Sequence, residues 1–521
     1  MKGVSSCLLD CIRMNYTNPV ISGFYPDPSV CRADDTYYLV CSSFQYFPGV
    51  PLFESKDLLN WKQIGHCLTR GSQIQLEGIG SSGGVFAPTI RHQDGRFYMT
   101  TTNNTTNQNF YVWTDNIYGE WSDPIQVEQN GIDPSLFFED GKTFFTSTGT
   151  DEKGVSGIVQ CEIDIETGRK LTVSRTIWQG SGGRYLEGPH MYKIDGRYCL
   201  LASEGGTEYG HMLTCARGDS IFGPFEADPD NPVLTNRNLG GYAIQGVGHG
   251  DLFEDAEGHW WLIHLGFRQI GQWLPYHHLG REVFLTPVTF REDGWFSAGS
   301  NGTVMACVDT DRISETVVQV KKECFTFENI SWEKDWCYLR LPDTENYTLD
   351  EGCLKLRGTQ ITLDQADSPT LIGLRQKEFC AEISCEVRIT GGEAGITLYM
   401  DENHHYDLAI RRVGHGFAVI ERLNIGDVKS VEKVVERQQE NHAALLIRAE
   451  NEYYSFFLKE EGGEILLGKA QTKYLSSEVA GGFTGVVIGL YAQDKSAASE
   501  AVFTNFRCEY MQQKSKEQFD I

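Results

Sequence analysis

Three carboxylic acids and one histidine stand at matching places in a sequence pattern that occurs five times. The pattern consists of a Pro or Gly, a small polar residue, an apolar residue, an acidic turn and an aromatic-rich run. The residues that open the five copies are Asp27, Ala87, Asp133, Gly188 with Glu187 beside it, and His249. If every copy presents its opening residue to one shared pocket, three carboxyl groups and an imidazole converge there.

Carboxyl groups that share a confined cavity cannot all ionise easily, so the pKa of at least one of them rises. One group then stays protonated as a general acid while another remains ionised as a base. This division of roles is the chemistry of glycoside hydrolysis, and an inverting enzyme needs roughly 6.5–9.5 Å between its two carboxyl groups to admit a water molecule. The same residue types could instead bind a hard cation, so a metal site is the competing interpretation.

The spacing within the repeats predicts one shared local structure. The fifth copy has Gly250 in the place of the proline and a differently spaced turn. In the other four, six positions separate the proline from the turn aspartate: Pro28 to Asp34, Pro88 to Asp94, Pro134 to Asp140, and Pro189 to Asp195.

The elements that must position these residues are short β-rich runs separated by Gly, Asp and Asn turns. Asp-Gly between such runs is a strong hairpin signal. The copies begin about 45 to 60 residues apart, which is room for four strands each, so the sequence predicts an all-β protein with a five-bladed β-propeller. Its innermost strands would surround a central axis. Consecutive β-sandwiches fit less well because their repeats would be longer and would not share one turn.

The repeats stop near residue 310, and the polar stretch CVDTDRISETVVQVKKE is predicted to be a linker. From about Phe325, alternating strands with Gly and Asn turns predict a β-sandwich of the jelly-roll, concanavalin-like kind. We therefore expect a propeller over residues 15–310 and a sandwich over residues 325–511. His404 and His405 are predicted to face solvent on a strand or turn and not to bind metal.

Composition excludes several classes of partner. A formal net charge of −26 over 521 residues repels nucleic acid and anionic membranes. The sequence contains no apolar run of about 18 residues that could span a membrane.

Its 15 cysteines include no CxxC pair, which argues against a disulfide framework or a zinc site. The N-terminus is a poor signal peptide, so we expect free thiols in a cytoplasmic protein, with Met1 or Met14 as its start.

Seven stretches resemble glycoside hydrolase family 43, in the branch of two-domain β-xylosidases and α-L-arabinofuranosidases. In family order they are NPVISGFYPDPSV, SSFQYFPGVPLFESKDLLNW, SGGVFAPTI, GIDPSLFFEDG, YLEGPHMYKIDGRYCLLASEGGTEYGHM, GHGDLFED and LGREVFLTPV. They run from about Asn18 to Val288, and GGFTG extends the resemblance into the C-terminal region. The resemblance implies an exo-acting, inverting enzyme that releases a terminal pentose from hemicellulose-derived oligosaccharides.

The resemblance also implies roles for single residues. Asp27 of YPDPS would be the general base that activates water, and Glu187 of LEGPH would be the general acid. Asp133 of GIDPS would orient the acid and adjust its pKa. Arg281 of LGRE would hydrogen-bond the terminal sugar and lie near the acid. His249 of GHGD lies at the propeller centre by both arguments, where it would hold a water or an ion or be a buried structural residue.

Four further residues match positions around the sugar. Phe44, Phe86 and Thr207 match positions that line the terminal-sugar pocket in relatives. Phe483 of GGFTG matches a sandwich loop that covers the mouth of the active site, which would explain exo action. The alternative for the second domain is an independent carbohydrate-binding module.

Two departures from the β-xylosidase pattern bear on the substrate. Phe86 stands where such enzymes often have Trp, and TSTGTD contains no aromatic residue where they often have one. These departures favour an α-L-arabinofuranosidase or a dual enzyme. The implied partner is a small oligosaccharide, no cofactor is required, and a calcium ion near His249 and assembly into a homo-oligomer are left open.

Three other functions are compatible with a five-bladed propeller. Retaining fructosidases are disfavoured because Asp133 follows Ile and because EGPH stands where they would have EC. Phosphorylases are disfavoured because no basic phosphate-binding cluster is evident. A non-catalytic sugar-binding protein is disfavoured because all three carboxylates are present.

Overall fold

The structure, a computed structural model, describes residues 16–511 except residues 272, 315–316, 322–323, 332–333, 351, 438–439 and 498. Met1 and Met14, the two candidate starts, lie outside the described residues. Within the described part, nearly all regular structure is β-strand. The helical pieces there are three 3-10 turns and one α-helical turn, at Gly71–Gln73, Thr344–Asn346, Thr472–Leu475 and Ser477–Ala480. None of the helices in this part has the length and apolar character that a membrane crossing requires.

The strands of the first domain form five antiparallel four-stranded sheets and one short pair, except β4, which joins a sheet of the second domain. In chain order they are β1 (Tyr16–Thr17), β2 (Ser29–Ala33), β3 (Thr36–Val40), β4 (Tyr46–Phe47), β5 (Gly49–Ser55), β6 (Lys62–Leu68), β7 (Thr89–Gln93), β8 (Arg96–Asn103), β9 (Gln108–Thr114), β10 (Ile125–Val127), β11 (Ile132–Glu139), β12 (Lys142–Thr150), β13 (Ser156–Ile163), β14 (Arg175–Trp178), β15 (Glu187–Ile194), β16 (Arg197–Glu204), β17 (Met212–Gly218), β18 (Glu226–Ala227), β19 (Ile244–Glu254), β20 (Trp260–Arg268), β21 (Glu282–Phe290), β22 (Phe296–Ala298) and β23 (Cys307–Val308).

The five sheets are the blades of a closed propeller, which confirms the predicted fold. Their strand orders are β2-β3-β5-β6, β7 to β10, β11 to β14, β15 to β18 and β19 to β22. Each blade's first strand is innermost, and these five strands contact one another in a ring that closes between β19 and β2. The pairing of β1 with β23 joins the two ends of the domain.

The propeller core is divided among the five interfaces between blades. Successive residues of a strand point to opposite faces, so each blade contributes apolar side chains to both neighbours. In β3, for example, Tyr38 and Val40 pack toward the second blade, whereas Tyr37 and Leu39 pack toward the fifth. Both faces of a blade are therefore covered, which is why these strands are rich in buried aromatic and β-branched residues.

The repeated acidic turn is present with one geometry. The turn aspartates Asp34, Asp94, Asp140 and Asp195 have φ angles of 54°, 52°, 49° and 49°, in the left-handed region that Asp and Asn adopt most readily after Gly. In the second to fourth blades a glycine with positive φ follows, as a two-residue hairpin requires. The six-residue spacing thus measures the length of each inner strand.

The second domain is a sandwich of two eight-stranded antiparallel sheets. Its strands are β24 (Cys324–Thr326), β25 (Cys337–Leu339), β26 (Tyr347–Asp350), β27 (Cys353–Arg357), β28 (Thr370–Arg375), β29 (Ala381–Ile389), β30 (Glu393–Asp401), β31 (His404–Val413), β32 (Gly416–Ile425), β33 (Val428–Arg437), β34 (His442–Ala449), β35 (Tyr453–Glu460), β36 (Gly463–Gln471), β37 (Val487–Gln493) and β38 (Glu500–Tyr510).

The two domains share one sheet. Strand β4 of the propeller pairs with β25, so it forms the edge of the sandwich sheet β33-β32-β31-β30-β37-β28-β25-β4. An apolar cluster containing Phe24 and Phe44 of the propeller and Tyr399 and Val487 of the sandwich fills the space beneath it. The guanidinium of Arg375 lies 4.9 Å from the ring centre of Tyr25. The sandwich is therefore packed directly against the segment that leads into Asp27.

The stretch predicted to be a linker lies against the propeller where it is described. Gln319 Nε2 donates a hydrogen bond to the carbonyl oxygen of Thr17 at 2.9 Å. The backbone N–H of Val320 donates to Asn60 Oδ1 at 2.7 Å. This stretch therefore continues the contact between the ends of the propeller that begins at β23.

The prediction that His404 and His405 face solvent is wrong. Only 9% and 1% of their surfaces are exposed. The two ring nitrogens of His405 lie 2.9 Å from Asp407 Oδ1 and 3.1 Å from Asp364 Oδ1. Burial alone would lower the pKa of His405, but these carboxylates raise it to about 9. The solvent-facing prediction fails because residues of the sandwich itself enclose both rings: His404 Nδ1 lies 2.9 Å from Asp401 Oδ1, and the ring of His405 lies between Asp364 and Asp407.

Candidate active site

The repeat-opening residues reach one place because most of them share an unusual backbone conformation. Register shifts interrupt the pairing of β11 and β15 at their openings and the pairing of β19 within the strand, around His249. The residues at these bulges, Asp133, Gly188 and His249, have φ angles of 55°, 58° and 33°. Asp27, just before β2, has a φ of 56°. Bulges re-aim side chains and persist at functional sites despite their strain, so the bulges turn these openings toward the axis.

These openings surround a small cavity of about 80 Å³ at one end of the propeller axis. Its lining consists of Asp27, Phe44, Phe86, Ala87, Ile132, Asp133, Glu187, Thr207, His249, Arg281 and Phe483. All nine site residues predicted from the sequence are in this set. Ile132 was not predicted, since it is an apolar residue with no chemical signature.

The carboxylate of Asp27 is held by two donors. Ser42 Oγ donates to its Oδ2 at 2.6 Å, and Arg281 Nη1 donates to its Oδ1 at 3.0 Å. His249 Nδ1 lies 3.7 Å from the same Oδ1. Burial raises the pKa of Asp27, but the charge of Arg281, then His249 and the Ser42 hydrogen bond, outweigh burial and lower the pKa below its ordinary value. Asp27 is therefore ionised at neutral pH.

Asp133 has the opposite electrostatic character. Burial raises its pKa to about 7, and the nearby charges of Glu187 and Asp27 act in the same direction. His249 and the backbone N–H of Gly188, which donates to Asp133 Oδ2 at 3.0 Å, oppose the rise only in part. The rise that the sequence predicted for one of the converging carboxyls is therefore present at Asp133.

Glu187 begins β15 and is half-buried at the cavity wall. Its Oε1 lies 3.2 Å from Nε2 of His211, a fully buried residue just before β17. Sequence reasoning missed His211 because it is not a repeat opening, although it lies within the stretch YGHM. Ser42 was missed for the same reason.

Arg281 precedes β21 and is 5% exposed. Besides Asp27, its Nη1 donates to Thr207 Oγ1 at 2.8 Å, and its Nη2 donates to the carbonyl oxygen of Phe483 at 3.2 Å. Although Arg281 and Glu187 line the same cavity, no ion pair joins these two described residues. The partner of Arg281 is thus the predicted base and not the predicted acid.

An aromatic wall completes the cavity. The ring of Phe44 lies 5.6 Å from that of Phe86 and stacks on that of Phe483 at 5.9 Å. Phe483 comes from the sandwich, and its backbone N–H donates to Ser82 Oγ of the propeller at 2.8 Å. Rings beside hydroxyl and guanidinium donors suit a sugar, which has both C–H faces and hydroxyl edges.

The residues around His249 suit a hydrogen-bonded water better than a hard cation. Calcium prefers six to eight oxygen ligands, whereas His249 offers nitrogen, and its ring lies against Gly188, where an added Cβ would be 3.1 Å from it. Among the described residues, no group of three or more His, Cys, Asp or Glu side chains is arranged as a metal site. Calcium near His249 stays a prediction.

A larger cavity of about 230 Å³ lies between the fourth and fifth blades. Its lining includes Asp195, Cys199, Arg217 and Trp295. Asp195 follows β15 at the end opposite Glu187, so this cavity opens at the other end of the blade. It shares no lining residue with the axial cavity, and we place the chemistry at the axis.

Comparison with known proteins agrees with this geometry. The sequence model described as "Glycosyl hydrolases family 43" matches residues 16–296, more than half of the chain. The chain belongs to glycoside hydrolase family 43. A second model, "Beta xylosidase C-terminal Concanavalin A-like domain", matches residues 324–509 of this family 43 protein. The protein is therefore a glycosidase.

Relatives of this family 43 protein match it over both domains. A non-reducing end alpha-L-arabinofuranosidase of Bacteroides ovatus is 39% identical over 508 residues, which cover 95% of this chain and 95% of the relative. A xylosidase/arabinosidase of Butyrivibrio fibrisolvens is 35% identical over 510 residues, 93% and 96% of the two chains. The crystal structure of a xylan beta-1,4-xylosidase from Bacillus halodurans superposes with a TM-score of 0.88 at 32% identity, covering 95% of this chain and 100% of that one.

Proposed function

We propose that this protein is an exo-acting, inverting glycosidase that removes a terminal pentose from hemicellulose-derived oligosaccharides, with α-L-arabinofuranose as the first substrate and β-D-xylose as the second. The observation that carries the proposal is the placement of Asp27 and Glu187. They lie on the first and fourth blades, which are not neighbours in the ring, and face one small cavity.

Asp27 is the general base. Its pKa is lowered, so it is ionised when substrate arrives. Ser42 and Arg281 each occupy one oxygen, but a carboxylate offers about four acceptor positions, so it still accepts a hydrogen bond from a water molecule. The same two donors fix the direction in which that water is held.

Glu187 is the general acid that protonates the leaving oxygen. Glu187 and Asp27 approach the cavity from two blades that are not neighbours in the ring. The space between their blades supports an inverting mechanism, in which a water attacks from the face opposite the acid. A retaining enzyme would need a carboxylate close enough to attack the sugar itself.

Asp133 controls the charge around the acid. With a pKa of about 7, it is partly protonated near neutral pH, so the charge that it places beside Glu187 changes as the pH passes through neutrality. Its hydrogen bond from Gly188 connects it to the residue directly after the acid. We therefore assign Asp133 to the pKa and orientation of Glu187.

The sandwich contributes to exo action. Phe483 closes one side of the cavity, which at about 80 Å³ is far smaller than the roughly 300–1,000 Å³ of drug-sized ligand sites. A cavity of this size accepts one sugar ring at the end of a chain. This contribution supports the capping role of the second domain over an independent carbohydrate-binding module.

The choice of sugar is supported by relatives and by the cavity wall. The Bacteroides ovatus relative, at 39% identity, is named an arabinofuranosidase, and the Butyrivibrio fibrisolvens relative is named for both sugars. Phe86, where β-xylosidases often have a larger Trp, leaves a differently shaped wall for a furanose ring. Single-group differences of this kind change specificity by about 10- to 200-fold.

Side-by-side kinetics on p-nitrophenyl α-L-arabinofuranoside and p-nitrophenyl β-D-xyloside test the substrate. We expect a higher kcat/KM on the arabinofuranoside, and a higher value on the xyloside would reverse the proposed order. NMR of the first-formed sugar tests the mechanism, because inversion produces the anomer opposite to that of the substrate. Binding without product over hours would instead support a non-catalytic sugar-binding protein.

A further inference from the structure

An exposed tyrosine, Tyr185, lies beside the axial cavity in the segment that joins the third blade to the fourth. The residue is 66% exposed and stands two positions before Glu187 in the chain. An added Cβ at Gly206 would lie 3.0 Å from its ring, and the next residue, Thr207, lines the cavity. The ring therefore stands outside the lining, at the rim of the cavity on the side of Glu187 and Thr207.

The backbone of Tyr185 has a conformation that tyrosine seldom adopts. Its φ is 50°, in the left-handed region, where a bulky side chain is an outlier and costs free energy. Gly206 has no side chain and a φ of 83°, so it leaves the room that the ring occupies. Strained residues of this kind persist where their surroundings impose the strain, and they occur often at binding and catalytic sites.

A buried carboxylate holds the segment that leads into Tyr185. Glu204 ends β16 and is fully buried. Its Oε1 accepts hydrogen bonds from the backbone N–H of Ser181 at 2.8 Å and from the Ser181 hydroxyl at 2.6 Å. Its Oε2 accepts one from the backbone N–H of Gly183. Breaking hydrogen bonds to a buried acceptor is costly, so this segment presents the ring in one fixed place.

Arg184 supports the ring without covering it. Its Cζ lies 5.2 Å from the centre of the Tyr185 ring. The guanidinium is itself held, because its Nε donates to the carbonyl oxygen of Gly205 at 2.9 Å and it pairs with Glu208. Most of the tyrosine remains open to solvent. A fixed, open aromatic ring suits a sugar ring, whose C–H groups form an apolar face.

We propose that Tyr185 is a specificity-determining residue that binds the pyranose ring of the leaving sugar, from which the terminal pentose is cleaved. The inference rests on the proposed function, since it takes Glu187 to be the acid. The acid must reach the oxygen between the two sugars, so the leaving sugar lies on the acid's side. The cavity of about 80 Å³ is filled by the terminal ring, which places the second ring at the rim, beside Tyr185.

The contact discriminates between substrates by their leaving groups. A ring that is already fixed loses little freedom when a ligand stacks on it, so most of the contact appears as affinity. A leaving sugar reaches Tyr185, whereas a methoxyl group in the same position is too small to do so. An aromatic residue that only supports the backbone before Glu187 would instead affect both kinds of substrate by the same factor.

The test compares the methyl glycoside of the hydrolysed pentose with a disaccharide in which the same pentose is linked to xylose. Tyr185→Asn removes the ring and keeps a residue that tolerates a φ of 50°, whereas Tyr185→Phe keeps the ring. In Tyr185→Asn, the ratio of kcat/KM on the disaccharide to kcat/KM on the methyl glycoside should fall roughly 5- to 10-fold, the size of one aromatic contact. In Tyr185→Phe the ratio should stay close to that of the wild type.

Tyr118→Asn is the matched control. Tyr118 is 64% exposed, donates its hydroxyl to Glu54 at 2.6 Å and does not line the cavity. This variant should keep the wild-type kcat/KM on both substrates. If Tyr185→Asn slows both substrates equally, or slows neither, Tyr185 does not bind the leaving sugar and the inference is wrong.

The folding of the variants is checked by thermal unfolding. The side chain of Tyr185 is exposed, and Asn tolerates the backbone conformation at this position. If Tyr185→Asn nevertheless fails to fold, Tyr185→Gly takes its place, because glycine adopts positive φ most easily. The same fall in the ratio is expected of it, and an unchanged ratio would overturn the inference in the same way.

Glu187→Gln on the same two substrates distinguishes failure of this inference from failure of the proposed function. Methanol and a sugar are both poor leaving groups, so both reactions should slow by at least about 100-fold. If Glu187→Gln keeps the wild-type rates, the acid assignment is wrong, and the placement of the leaving sugar is wrong with it. If Glu187→Gln loses activity while Tyr185→Asn keeps the wild-type ratio, the proposed function stands and only the role of Tyr185 is wrong.

Discussion

Arg281 Nη1 lies 3.0 Å from Asp27 Oδ1, so the cation that was expected beside the acid is paired with the base. The same nitrogen also contacts Thr207 at the cavity wall. One guanidinium thus keeps Asp27, the proposed base, ionised and lies at the wall of the cavity proposed to hold the sugar. Both groups are about 5% exposed, where an ion pair is screened little by solvent.

Replacing Arg281 should move the acidic limb of the pH profile. Arg281 lowers the pKa of Asp27, so its removal raises that pKa, and the base becomes ionised only at higher pH. In Arg281→Met the acidic limb of kcat/KM should therefore lie at higher pH than in wild type. Arg281→Lys, which keeps a charge, should shift it less. An acidic limb that is identical in all three proteins would contradict the assignment of Asp27.

Asp27→Asn should reduce kcat by at least about 100-fold, because general-base catalysis contributes roughly 10²–10⁴. The amide retains the shape of the side chain and tolerates its φ of 56°. Asp34→Asn is the matched control, since it makes the same change at a left-handed residue of the same repeat. The control should keep wild-type kcat, and an active Asp27→Asn would exclude Asp27 as the base.

Asp133→Asn should stabilise the protein while impairing catalysis. The pKa of Asp133 is raised from 3.8 to about 7, so the folded state holds a proton that the unfolded state has lost. The contribution of Asp133 to the free energy of unfolding of the wild type therefore falls as pH rises from about 4 through 7. For a pKa shift of this size, the fall is up to about 4 kcal/mol. Asn does not titrate, so its stabilising effect should be absent near pH 4 and full above pH 7.

Chemical denaturation of wild type and Asp133→Asn at pH 4.5, 6 and 8 checks this dependence. The difference in unfolding free energy should grow with pH. A constant difference would mean that the substitution acts through packing and not through the charge of the carboxylate. Kinetics on the same samples should show lower kcat, since the acid loses its charged neighbour.

Phe483→Ala should weaken sugar binding. The ring stacks on Phe44 and forms one side of the cavity, and aromatic pairs contribute about 0.5–1.5 kcal/mol beyond area burial, so KM should rise roughly 2- to 10-fold or more. Val479→Ala is the control, because Val479 belongs to the same sandwich segment, is 42% exposed like Phe483 at 41%, and does not line the cavity. Equal KM values in both variants would argue against a capping role.

Treatment with EDTA followed by desalting should leave kcat and KM unchanged, because every step of the proposed mechanism is carried out by carboxylates and an arginine of the protein. Activity lost to EDTA and restored by calcium would place a required ion in the protein. His249→Gln would then show whether that ion lies near His249.

Much of the fold could be predicted from local signals. The six-residue interval between proline and turn aspartate reports strand length, and Asp-Gly pairs report hairpins, because both depend on backbone conformation within a few residues. A chain with five copies of such a four-stranded unit can close on itself in few ways, and the five-bladed propeller is one of them. The nine site residues followed from repeat phase and family resemblance, and all of them line one cavity.

Other features depended on neighbours far away in sequence. The burial of His405 was misjudged because its partner Asp364 lies 41 positions away in sequence, and no local pattern reveals that contact. The approach of His211, just before β17, to Glu187 at the start of β15 is visible only in the distance between their atoms.

The sequence by itself determined the repeat, the hairpins and the identity of the three acids, since these depend on residue type and on short-range backbone preference. Only the tertiary structure decided how the acids differ in charge. Asp27 is ionised because Arg281, 254 positions away, is its partner, and Asp133 has a raised pKa because it is buried beside Glu187 and Asp27. A pKa depends on burial and on nearby charges, and both are properties of the assembled site.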